Sequence, residues 1–153
     1  VKPTIRYQHG FENTYLYGAV EVATGRTFFL ELPSLDTICF QLFLDYLAAE
    51  FPNSLNILVL DTASVHHAQQ MVRPTQMRFV FTPPYTPEVN SMERVWEAFK
   101  FELAGELFED LCHLSDSLVA LVRSCVAEKL RSLTFFPYMR NAINAINATN
   151  TMI

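Results

Sequence analysis

From Tyr15 to Val22 the chain is apolar and aromatic, Ala23-Thr24-Gly25-Arg26 supplies turn residues, and Thr27 to Leu32 resumes with Phe28, Phe29 and Leu30. That succession predicts a β-hairpin. Pro33-Ser34 ends it, and Asp36 to Phe51 then carries Ile38, Phe40, Leu42, Phe43, Tyr46 and Leu47 at mostly helical spacing before Pro52-Asn53, which predicts an amphipathic helix. The run Ile57-Leu58-Val59-Leu60 is too short for an ordinary helix and is bounded by polar residues. It predicts a strand buried on both faces and ending on Asp61. A short helix through His66, His67 and Met71 follows, stopped near Pro74, and Met77 to Phe81 predicts a further buried strand.

Three prolines within the five residues Pro83 to Pro87 exclude continued sheet or helix, so Thr82 to Pro87 is an extended loop. From Ser91 a helix places Met92, Val95, Trp96, Phe99 and Leu103 on one face, with Trp96 as a core anchor. Asp110 to Leu133 reads as a second long helical stretch with Leu111, Leu114, Leu118, Leu121, Val122, Cys125, Val126 and Leu130 in register, broken if anywhere near Ser115-Asp116. Residues 141–153 repeat Ala, Asn, Ile and Thr with little charge and read as a frayed helix or disordered tail, leaving 1–140 as one domain. The order of elements predicts a mixed α/β fold whose sheet is covered by helices on both faces.

Composition narrows the picture. At 153 residues, half of them hydrophobic, the chain can bury a core without staples. No apolar run is long enough for a membrane span and no signal-peptide pattern opens the chain, so a cytoplasmic or nucleoid location and no membrane partner are expected. Cys39, Cys112 and Cys125 are odd in number and set among apolar neighbours, as expected of buried reduced thiols. A net charge of -5 argues against a free-standing DNA-binding module, because duplex affinity rests on Lys and Arg neutralising phosphates. An acidic balance is equally what a carboxylate site for divalent cations produces.

Two carboxylates stand where such a site would be built. Asp61 follows a strand, where a rigid element can hold a ligand, and ligand sites in α/β sheets favour the carboxyl ends of strands. Glu93 lies in the first turn of a helix behind the proline-rich loop. Mg2+ takes oxygen ligands, usually one or two carboxylates with phosphate and water. Each acid also has a plainer reading: Asp61 as a turn former or helix cap, and Glu93, three residues after Asn90, as part of a capping box. His66 fits either a donor beside the site or local helix packing. Arg94, Lys100, Arg73 and Arg78 fit either phosphate contacts or a solvated surface.

Leu60-Asp61-Thr62-Ala63-Ser64-Val65-His66-His67-Ala68, followed by Thr82-Pro83-Pro84-Tyr85-Thr86-Pro87-Glu88-Val89-Asn90-Ser91-Met92-Glu93-Arg94-Val95-Trp96, resembles the Asp and Glu motifs of bacterial IS630-family transposases, within the IS630/Tc1/mariner superfamily. Tyr17-Gly18-Ala19-Val20 with Thr24-Gly25 resembles the hairpin before that Asp, and thirty-one residues separate the two acids. The resemblance implies an RNase H-like DDE catalytic domain, two-metal endonuclease and strand-transfer chemistry on DNA with Mg2+ or Mn2+, and Asp61 and Glu93 as catalytic metal ligands. His66 follows Asp61 by five residues as in the family pattern, and His66, Tyr85 and Arg94 are the candidates for neighbours of the site or DNA contacts, Tyr85 fitting also a residue that shapes its proline-rich loop; a homodimer is a further candidate partner. Thr62 stands where the family usually has Asn, and Ser91 where it usually has Pro.

The family's first catalytic Asp lies on a strand upstream of the hairpin, whereas the only acid before the hairpin here is Glu12, in a context that does not match. The expectation is therefore a domain without its first strand and with two of three carboxylates, weakly active or inactive alone. The alternative is a non-enzymatic remnant that acts by protein–protein interaction, such as mixed dimerisation with an intact transposase.

Overall fold

The computed structural model describes residues 13–61, 70–83 and 90–150. Strands β1 (Tyr15–Val20) and β2 (Thr27–Leu32) form the expected antiparallel hairpin, with Gly18 opposite Phe29. Its turn closes through Glu21, whose carbonyl accepts the N–H groups of Thr24 (3.2 Å) and Gly25 (2.8 Å). Gly25 has φ 77°, and a Cβ there would stand 1.9 Å from the Ala127 carbonyl oxygen, so both its conformation and its surroundings require glycine.

Helix α1 (Thr37–Glu50) is N-capped by Asp36, whose carboxylate accepts the Cys39 N–H at 2.8 Å. Strands β3 (Asn56–Leu60) and β4 (Met77–Phe81) pair in parallel, Leu60 opposite Phe81. Helix α1 packs on both strand pairs. Phe43 meets the rings of Tyr17 and Phe28 from the hairpin. Met77 joins Leu44, Leu47 and Ala48 in the same core, with Leu58 and Phe79 packed against it. Gln76 donates to the Ala48 carbonyl at 3.2 Å and so ties the start of β4 to α1.

The opposite face of the hairpin is covered by α2 (Ser91–Glu102), α3 (Leu111–Ser124) and α4 (Ala127–Thr134). Val95, Phe99 and Leu130 form one cluster there, against which Val20, Phe29, Met92 and Trp96 pack, so Trp96 anchors this layer as its spacing predicts. Leu103, Phe108, Leu114 and Leu118 form another, reached by Leu16. Among the described residues the architecture is mixed α/β with two two-stranded sheets, consistent with an RNase H-like domain. No described helix is long and apolar enough to cross a membrane.

Three details differ from the expectations. The strands at 56–60 and 77–81 are not buried on both faces: Leu58, Met77 and Phe79 turn toward α1, while Ile57, Val59 and Val80 lie 40–50% exposed on the other side. The long helical stretch breaks at Cys125-Val126 rather than near Ser115, because extended backbone at both residues turns the chain so that α4 packs on α2. Cys112 is exposed while Cys39 is buried, since Cys112 lies two residues before the buried Leu114 and so on the opposite, solvent side of α3. Residues 137–150 form one further helix, α5, which begins at Pro137. The expected helix through His66 and His67, and the Tyr85 loop, lie outside the described residues.

Candidate functional site

The parallel pair sets the position of Asp61. The Thr82 N–H donates to the Leu60 carbonyl at 2.8 Å, so the ladder runs to the last residue of β3 and the two strands end level. Asp61 is the next residue beyond that last rung and is exposed to solvent at the rim. Buried Thr82 stands at the corresponding place after β4. The strand end is thus held by backbone hydrogen bonds on its partner side, while the acid that follows it lies at the solvent-exposed rim.

Helix α2 sets the position of Glu93. Asn90 caps it, its side-chain oxygen accepting the Met92 N–H at 3.1 Å, and the Glu93 N–H donates to the Asn90 carbonyl at 3.0 Å. Glu93 is the acid of the first turn, where the exposed N–H ends of the helix favour negative charge. It is half-buried, flanked by buried Ser91 and Val95. Ser91 donates to the Thr134 carbonyl at 3.3 Å, tying the helix start to the end of α4. Met92 holds the same turn against the hairpin: a Cβ at Gly18 would meet the Met92 methyl at 2.8 Å and the Phe29 ring at 2.7 Å.

Arg94 follows Glu93 and is exposed, with its guanidinium 4.8 Å from the centre of the Phe136 ring. That contact restrains the side chain yet leaves its donors available. Sequence spacing gives no sign of it, since Phe136 lies on the link between α4 and α5. Lys100 is half-buried on α2, and Arg73 is stacked 5.3 Å from the Phe79 ring. His66 and Tyr85 lie outside the described residues.

Asp61 and Glu93 offer carboxylate oxygens, the donor type that Mg2+ and Mn2+ prefer. Among the described residues, no group of three or more His, Cys, Asp or Glu side chains is placed to hold a metal ion. Carboxylate oxygens are donors that suit a hard divalent cation, with water or phosphate completing its shell.

A family model described as DDE superfamily endonuclease matches residues 2–115, which include the hairpin, both acids and their elements. An uncharacterized protein, y4pE/y4sA, of Sinorhizobium fredii is 31% identical over 98 residues, covering 63% of this chain and 73% of that protein. No solved structure matches the chain significantly.

Proposed function

The chain belongs to the DDE superfamily endonuclease family, and on that premise we propose that it is the catalytic domain, of IS630 type, of a transposase that cuts and joins DNA phosphodiesters with divalent metal ions, with Asp61 and Glu93 as metal ligands. The observation that carries the proposal is the position of Asp61, an exposed carboxylate one residue beyond the last rung of a parallel strand pair. DNA is the substrate, the cytoplasm the place of action, and a homodimer the working form of the complete transposase.

Each residue has a task in this reading. Asp61 presents a carboxylate from a strand end that cannot swing away, because β4 holds the rung before it. Glu93 presents the other from a helix whose following turns are anchored by Val95 and Phe99, 0% and 3% exposed. Mg2+ or Mn2+ bound between them would supply the charge neutralisation and water activation that phosphodiester cleavage needs. Arg94, restrained by Phe136, contacts the DNA backbone beside Glu93. The motifs that carry the two acids also supply His66 and Tyr85 as further DNA contacts in this reading.

Two carboxylates make a weak metal site, so the chain alone is expected to cut slowly. The test is nicking of a transposon-end duplex in Mn2+, with the chain alone and with an added polypeptide that carries a DDE first-acid strand. Slow nicking that rises on that addition and disappears in Asp61→Asn and Glu93→Gln is the expected result. Nicking that is indifferent to both substitutions would refute the assignment.

A further inference from the structure

Helix α1 buries Phe43, Leu44, Leu47 and Ala48, yet its outer side is also apolar. Ile38 is 80% exposed, Leu42 41% and Tyr46 55%, at spacings of four that align them along one helical face. Leu35, 45% exposed, precedes the same face, and exposed Ala49 continues it. A residue from another segment extends the stripe. The Gln41 side-chain amide pairs with the backbone of Val72, donating to its carbonyl and accepting its N–H, both at 2.9 Å. That pair of hydrogen bonds fixes Val72 beside α1 while its side chain stays 79% exposed.

A stripe this continuous on a folded domain marks a binding surface more often than chance exposure does. Its flanks decide the partner. On one side Asp45 accepts from Gln41 at 2.9 Å, on the other stands Glu50, and Asp36 caps the helix start. Helix α1 contains no Lys, Arg or His. Among the described residues two cations border the stripe, and each is engaged elsewhere: Arg73, next to Val72, is stacked on Phe79, and Arg26, 4.6 Å from the ring of Phe51 at the helix end, is paired with Glu21 at 4.0 Å.

We propose that this face of α1 is a docking site for a basic amphipathic helix of another polypeptide segment, whose apolar seam covers Ile38, Leu42, Tyr46 and Val72 while its flanking Lys and Arg meet Asp45 and Glu50. A helix is the shape that packs along a straight stripe of i, i+4 residues. A second copy of α1 is the poorer match, because it would set Asp45 and Glu50 against the same acids with no cation on either helix to offset them. An anionic lipid surface is repelled by the same acids. The proposal goes beyond the nuclease reading and does not depend on it.

Two synthetic helical peptides sharing one leucine seam, one flanked by Lys and Arg and the other by Glu, test it by fluorescence anisotropy against the full chain. The basic peptide is expected to bind roughly tenfold tighter or more than the acidic one, with the gap narrowing as salt rises. Ile38→Glu with Leu42→Glu should weaken the basic peptide by a similar factor. Asp45→Lys with Glu50→Lys should invert the preference while keeping the seam. Circular dichroism establishes that each variant is folded, and the two pairs of substitutions probe the site independently. Equal binding of both peptides, binding unchanged in the seam variants, or a sedimentation dimer dissolved by Ile38→Glu would overturn the proposal, the last by assigning the stripe to a second copy.

Discussion

The Met92 methyl stands 2.8 Å from the place a Cβ would occupy on Gly18, so the helix that carries Glu93 meets β1 at its one residue without a side chain. The contact explains how a sheet and a helix separated by a long stretch of chain can fix a carboxylate. Met92 is adjacent to Glu93, and whatever displaces Met92 displaces the first turn of α2.

Gly18→Val is therefore expected to act on the site as well as on stability. The Met92 end can bend aside, but the Phe29 ring at 2.7 Å is held in a cluster with Trp96 and Phe99. Overpacking of this kind costs about 1–3 kcal/mol. Urea unfolding gives the stability loss, and Mn2+ affinity is expected to fall with it if Glu93 is a ligand. A variant as stable as the parent would show that α2 can retreat freely from β1.

Much of this fold was legible in the sequence because local period identifies an element without knowledge of its neighbours. The hairpin, the helix capped by Asp36, both parallel strands and the helix from Ser91 stand where period and punctuation place them. Facing was harder to read. Ile57-Leu58-Val59-Leu60 is uniformly aliphatic, so it carries no period to reveal that Ile57 and Val59 stay open to solvent. The break at Cys125-Val126 has no Pro or Gly to announce it; packing of α4 on α2 imposes it. Position at a strand end and a helix start made the two acids candidates, and motif context set them above the commoner roles of a strand-terminal Asp and a first-turn Glu. The stacking of Arg94 on Phe136 joins distant parts of the chain and left no local signal.

Leu44 is fully buried between α1 and the strands, in the cluster that joins the hairpin to the parallel pair. Leu44→Ala is expected to destabilise the chain by about 2–5 kcal/mol, the range for core truncations that leave a cavity. Because one helix serves both strand pairs, loss of structure at the hairpin and at β3–β4 should coincide in hydrogen exchange. Separate transitions would mean that the two units are stabilised independently.

Tyr17 predicts an alkaline limit to stability. Its hydroxyl donates to the Ser34 carbonyl at 2.9 Å, and burial, followed by the nearby Cys39 and Asp36, raises the phenol from 10.0 to about 12. Below the unfolded value both states hold the proton and the group has no pH effect. Between about 10 and 12 the unfolded chain releases it while the folded chain keeps it, so stability falls as pH rises. Tyr17→Phe should lose about 1 kcal/mol near neutrality with the hydrogen bond and show a shallower decline in that alkaline window. An unchanged slope would exclude Tyr17 as its source.

Asn90 offers a milder way to disturb Glu93. Asn90→Ala removes the acceptor for the Met92 N–H and should cost about 1 kcal/mol in urea unfolding. Asn90→Ser, which keeps a capping oxygen, should recover most of it. Equal losses in both variants would show that the cap bond contributes little beside the burial of Val95 and Phe99.

The decisive question for the nuclease reading is whether Asp61 and Glu93 hold the same ion, and additivity answers it. A ligand that binds only the folded chain stabilises it by about 2.7 kcal/mol at a hundred times its dissociation constant, so Mn2+ should raise the unfolding temperature of the parent. Asp61→Asn and Glu93→Gln should each remove most of that increment. If both carboxylates grip one cation, the double variant can lose no more than either single one, because the site is already broken. If they bind separate ions or none, the two losses will add or be absent, since distant sites behave independently. Non-additive loss of the Mn2+ increment is the expected outcome; additive losses would place the two carboxylates in different sites and leave family membership without a metal centre in this chain.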